Sequence, residues 1–87
     1  MSNQEAIRAY THLKSDGFAM GPGWKVAHEI CQAHEGEAVF DAIHALAHLI
    51  EGDKSNSDYW CRRAGIEPLE DDVDAAAKVL AAQYSLI

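Results

Sequence analysis

"EAVFDAIHALAHLIEG" occupies residues 37–52. On a helical wheel of about 100° per residue, Val39, Ile43, Leu46, Leu49 and Ile50 cover a wide apolar face. Ala38, Ala42, Ala45 and Ala47 extend that face, and Phe40 borders its far edge. One narrow polar stripe remains: Glu37, Asp41, His44, His48 and Glu51. The period predicts a helix that ends at Gly52. A helix so apolar around its circumference belongs at the centre of a small helical protein.

The flanking sequence keeps the same period. "SNQE" at residues 2–5 reads as a capping box, with Ser2 as the cap and Glu5 reaching back. The helix that follows, over residues 3–14, buries Ile7, Tyr10 and Leu13 and stops before Gly17. "GFAMGPG" (17–23) is loop, and a second helix covers 24–34, with Trp24, Ala27, Ile30 and Cys31 on or beside one face. After the third helix, "DKSN" (53–56) links to a short helix over 57–64, with Ser55 and Asp58 as a variant capping box and Gly65 as the stop. A last helix over 69–84 carries Glu70, Asp71, Asp72 and Asp74 near its positive end. Leu69, Val73, Ala76, Ala77, Leu80 and Tyr84 form its apolar stripe. No stretch alternates with period two. The prediction is an all-α single domain over 1–87: a compact bundle of about five short antiparallel helices with the third at its centre.

The 87 residues carry a net charge of −7 and are 48% hydrophobic. A domain this small buries only about 65% of its unfolded surface, so ligands or partners add usefully to its stability. The acidic balance argues against nucleic acid, whose phosphates need a basic patch, and against an anionic membrane surface. No secretory segment and no apolar run of membrane-spanning length is expected. Cys31 and Cys61, the two cysteines, fall in helical patterns and read as small buried hydrophobes in a reducing compartment. A cytoplasmic protein follows from these features.

The stripe on the third helix has two readings. As the solvent window of an amphipathic helix it needs no further explanation. Its composition is unusual for that role, because it holds only carboxylates and imidazoles, and neighbours at i+3 and i+4 pair along it. His44 and His48, four apart, project from one face and can share a divalent metal ion. Glu51 stands at i+3 from His48, able to ligate or to orient an imidazole. The zinc-protease helix needs Glu directly after the first His; Ala45 stands there, so that chemistry is rejected. Acid–base work by His beside carboxylates is the metal-free alternative. His12, His28 and His34 read as surface or helix-end residues.

Polar and aromatic chemistry is densest in the next segment, "GDKSNSDYWCRRAG" (52–65). Asp53 and Asn56 are turn and cap residues. In the short helix, Trp60, Cys61, Ala64 and Ser57 face the core, while Asn56, Tyr59 and Arg63 form another stripe with Arg62 beside it. The arginines are expected to pair with Glu51 or Asp53, or to clamp an anion through the guanidinium fork.

Over 52–68 the chain is similar to half of a tetratricopeptide repeat, but Asp41, His44 and His48 would occupy that repeat's Trp, Leu and Tyr packing positions. The likeness is therefore one of αα-hairpin geometry. "HALAHLIEGD" followed by "NSDYWCRRAG" more closely resembles a family of small uncharacterised helical proteins of bacteria and fungi. Its pattern is His-x-x-x-His-Arg-x-Glu-Gly/Pro-Asp, then Asn-Ala-x-Tyr-Trp-aromatic-Arg-Arg-Ala/Val-Gly. "AHEICQ" (27–32) is similar to the segment preceding that motif. Leu49, Ser57 and Cys61 depart from it, standing where the family has Arg, Ala and an aromatic residue. The resemblance implies a helical fold and marks a site, without implying a reaction.

Three functions fit this reading. The first is an interaction or self-assembly module, a homo-oligomer or a binder of a protein partner, with Tyr59, Trp60 and the arginines near its contact surface. The second is a small-molecule-binding protein or enzyme with a polar pocket drawn from His44, His48, Glu51, Asp53, Asn56, Tyr59, Trp60, Arg62 and Arg63. The third is a divalent metal site at His44 and His48.

Overall fold

A computed structural model describes residues 3–87, and the expected cap at Ser2 lies outside them. Five helices follow one another: α1 (Gln4–Ser15), α2 (Pro22–Ala33), α3 (Ala38–Ile50), α4 (Lys54–Ala64) and α5 (Val73–Tyr84). Among the described residues there is no strand. α3 packs against each of the other four helices, as its near-continuous apolar surface requires. Every residue from Phe40 to Leu49 is buried. Among the described residues no helix is long and apolar enough to cross a membrane.

Two hinges of the bundle follow from local chemistry. Between α3 and α4 only three residues turn the chain. Gly52 takes φ +85°, where an L side chain is strained. Its N–H bonds to Leu49 O at 3.0 Å and that of Asp53 to His48 O at 2.9 Å, the paired bonds of a Schellman stop. Asp53 then caps α4, accepting from Asn56 N at 3.2 Å. That cap starts α4 at Lys54, three residues ahead of the expected start, and removes Ser55 and Asp58 from the capping role. Between α1 and α2 the decisive residue is Gly23. A Cβ there would lie 2.2 Å from the carbonyl oxygen of His12, so the two helices meet only over a hydrogen. Asp16 accepts from Gly23 N at 2.7 Å and seats the start of α2.

The other corrections to the predicted elements are small. α5 begins at Val73 because Asp72 caps it, accepting from Ala75 N at 3.3 Å. Leu69 is buried ahead of the helix, and Glu70 and Asp71 also precede it. Ile7 is 37% exposed, and α1 instead buries Ala6, Ala9, Tyr10 and Leu13. Alanines carry too little hydrophobic weight to mark a buried face on a wheel, yet they let helices approach closely. Tyr10 spans to α5 and donates to Ala77 O at 3.2 Å, which satisfies its buried hydroxyl.

Candidate functional site

The stripe expected as a solvent window is buried. Asp41 is fully enclosed, His44 is 2% exposed and His48 7%, while Glu37 and Glu51 at the two ends face water. The antiparallel hairpin of α3 and α4 places Trp60 on His44 and Asn56 beside His48. The Trp60 and His44 rings stack at 4.0 Å between centroids, 14° from parallel. Asn56 Nδ2 lies 3.5 Å from His48 Nδ1. Asp41 is satisfied separately, accepting from Gly36 N at 3.1 and 3.2 Å, and takes no part in the imidazole cluster.

On the opposite side α2 brings a third imidazole. Trp24 donates from Nε1 to Ala47 O at 2.7 Å and so pins α2 to α3. One turn on, His28 stacks against that indole, with centroids 4.8 Å apart and planes 9° from parallel. Its Nε2 reaches to 3.2 Å from His44 Nε2. His44 and His48 stack on each other at 4.9 Å. One ligand atom from each of His28, His44 and His48 falls within a group no wider than 4.8 Å. Sequence reasoning placed His28 at the surface. Its only advance signals were its position four after Trp24 on α2 and its place within "AHEICQ".

The electrostatics disfavour a charge on two of the three rings, His44 and His28. Burial, helped by His28 and His48 nearby, depresses the pKa of His44 to about 3. Burial also lowers that of His28, with a further push from His48 and an opposing pull from Glu51, Glu29 and Glu35. Neutral imidazoles keep a lone pair for a metal. His48 Nδ1 lies 2.5 Å from Glu51 Oε1, which commits that nitrogen to the carboxylate and leaves Nε2 for other work. His44 Nδ1 is buried without a hydrogen-bond partner among the described residues.

One of these distances suits a metal ion directly. Tetrahedral zinc with Zn–N bonds of about 2.0–2.1 Å sets neighbouring nitrogens roughly 3.3 Å apart. The His28–His44 separation of 3.2 Å already matches. A group of His48, Glu51 and Asp53 is equally tight, but Glu51 is engaged with His48 and Asp53 caps α4. That second set is explained by hydrogen bonding.

The remaining predicted site residues divide by burial. Trp60 is buried under His44's ring, whereas Tyr59 is 42% exposed and both arginines are exposed. Arg63 donates from Nη1 to the Tyr59 hydroxyl at 2.9 Å, and its Cζ lies 5.4 Å from the centroid of the Trp60 ring. The hydrogen bond to Tyr59 raises the pKa of Arg63, so its charge is permanent. The expected ion pairs of the arginines with Glu51 or Asp53 do not form among the described residues, because Glu51 turns to His48 instead. Cys31 and Cys61 are free and buried, and burial pushes the Cys31 thiol up to about 12, which leaves it unreactive. A groove of about 430 Å³ lies away from the imidazoles, between Gly65–Glu70 and α5. No protein-family model matches the chain, and no curated protein or solved structure matches it.

Proposed function

We propose that this chain is a divalent-metal-binding protein whose ligands are His28, His44 and His48. The reading is carried by one observation: three imidazoles from two helices converge with ligand atoms no more than 4.8 Å apart. A second feature supports it. Glu51 engages the far nitrogen of His48, the arrangement by which carboxylates orient metal-bound histidines. Imidazole sets favour zinc, copper, nickel or iron over magnesium or calcium. The resemblance to the bacterial and fungal family belongs to this reading, since the matched motif holds His44, His48 and Glu51, and its helix-2 segment holds His28. A cytoplasmic setting fits the unpaired thiols.

Mass spectrometry under native conditions on tag-free protein tests the proposal. One zinc ion per chain is expected, released by chelator with a drop in thermal midpoint. His28→Ala changes a half-buried side chain and is expected to fold normally but to lose the ion. A protein that takes up no zinc, and whose midpoint ignores both zinc and chelator, defeats the reading.

The second reading is an interaction or self-assembly module. It is favoured by the exposed Tyr59 beside Arg62 and Arg63 on α4. Trp60 is enclosed and serves the imidazole cluster in this arrangement, so the contact surface would rest on Tyr59 and the two arginines. Light scattering on Tyr59→Ala checks it: a folded variant with unchanged oligomeric state removes Tyr59 as an anchor.

A further inference from the structure

The groove of about 430 Å³ has no part in the imidazole cluster, and its lining comes from the link Gly65–Glu70 and from α5 alone. Local chemistry opens it. Gly65 ends α4 at φ +76°, and the N–H of Ile66 bonds back to Cys61 O at 3.0 Å. Pro68 brings no N–H, and residues 66–70 run as irregular backbone beside α5. On α5, Ala76, Val79, Leu80 and Gln83 stand at i, i+3, i+4 and i+7, so one stripe of the helix meets the link across open space. Leu69, Ala76 and Leu80 are buried apolar walls, while Val79 is left 52% exposed at the groove.

Size and charge indicate what enters. An α-helix is about 10–12 Å across with its side chains, so a space of about 430 Å³ holds roughly one turn of it. Pockets for small molecules begin at about 300 Å³. The titratable groups in the lining are Glu67 and Glu70, both carboxylates on exposed residues. Lys54, whose ammonium reaches the link, is held by Leu69 O and lies 3.6 Å from Asp58 and from Asp71. The lining holds no aromatic ring, so the cage that suits a quaternary ammonium is missing. A primary ammonium needs no such cage and brings three donors for charge-assisted bonds to carboxylates. We propose that the groove binds a small primary amine, with its apolar body against Leu69, Val79 and Leu80 and its ammonium at Glu67 and Glu70. The site is independent of the metal reading.

The test titrates the full nitrogen-15-labelled chain, without added metal, with hexylamine, hexanol and hexanoate, and follows amide shifts by NMR. These probes share one apolar body and differ in the charge of the head group. Hexylamine is expected to shift the amides of Ile66, Leu69, Val79 and Leu80 with saturation. Hexanol is expected to bind about fivefold or more weakly, a size typical of one partly screened charge at close range, and hexanoate more weakly still. Glu67→Gln combined with Glu70→Gln, at exposed positions, is expected to bring hexylamine down to the level of hexanol. Glu29→Gln, an exposed position on α2, is expected to leave it unchanged. Amides at the groove that ignore hexylamine overturn the inference. Hexanol or hexanoate binding as tightly as hexylamine also overturns it, as does a double variant that keeps full affinity. Equal weakening by Glu29→Gln overturns it too, because the charge of the whole chain then attracts the amine and the groove does not select it.

Discussion

Opposite sides of α3 are buried with different chemistry. Towards α1 and α5 the core is filled by Ala6, Ala9, Leu13, Ala76, Ala77 and Leu80, and the buried Tyr10 hydroxyl is satisfied by Ala77 O. Towards α2 and α4 it holds His28, His44 and His48 between two indoles, with one imidazole nitrogen unpartnered. The first side is what burial of apolar area produces without any other demand. The second side carries a cost, because a buried polar group without a partner is unfavourable by about 1–3 kcal/mol. A leucine at position 44 would avoid that cost. The difference is why the proposed metal site falls on the α2–α3–α4 seam, while the α1–α5 side is packed as a plain apolar core.

The sharpest way to break this comparison is to cut each side and read stability and metal uptake separately. Leu80→Ala is expected to cost about 3 kcal/mol in urea unfolding, the usual range for a fully enclosed leucine, and to leave zinc affinity in the folded protein unchanged. His28→Ala is expected to do the reverse. Loss of one of three ligands should weaken zinc binding at least about a hundredfold, or about 2.7 kcal/mol, with metal-free stability within about 1 kcal/mol of the parent. If Leu80→Ala lost metal, or His28→Ala kept it, the division of labour would fail.

Acid should also affect the two sides differently. The pKa of His44 falls to about 3 in the folded protein and returns to about 6.5 on unfolding, so between these values the unfolded chain binds the extra proton. Metal-free protein should therefore lose stability as the pH drops from 7 to 5, by up to about 2 kcal/mol for a single proton. His44→Leu should flatten that part of the profile and match or exceed the parent's stability at pH 5, measured by urea midpoints. A slope that survives the substitution would assign the acid sensitivity to other groups. The smallest effect concerns the hinge that aligns Asn56 and Trp60 with the histidines. Gly52→Ala meets no atoms within 4 Å but must hold φ +85°, so it should cost about 1 kcal/mol. Its effect should reach zinc affinity only slightly, since the proposed ligands stand on α2 and α3.

Helix 3 shows how far reading residues in order can go. Its wheel isolated Glu37, Asp41, His44, His48 and Glu51, and the pairing of His48 with Glu51 at i+3 appears in the structure at 2.5 Å. The Gly52–Asp53 turn was legible for the same reason: its bonds run between residues five or fewer apart. Burial of that stripe was not legible. A polar stripe on a wheel looks the same under a facing helix as it does under water. The arginines were misjudged because Glu51, the expected partner, was already held by His48.

Local periodicity therefore determined the five helices, the central place of α3, the i, i+4 histidine pair and the tight hairpin into α4. Each depends on backbone bonds and neighbours within a turn or two, which sequence spacing specifies. Only tertiary structure decided that His28 joins His44 from sixteen residues away, that Trp60 covers the pair, and that the stripe leaves water. Those outcomes depend on how α2 seats against α3, which the Trp24 bond to Ala47 O, the bare backbone of Gly23 and the small alanine faces set together. Contacts between helices arise from the joint fit of surfaces, and no single helix's pattern contains them.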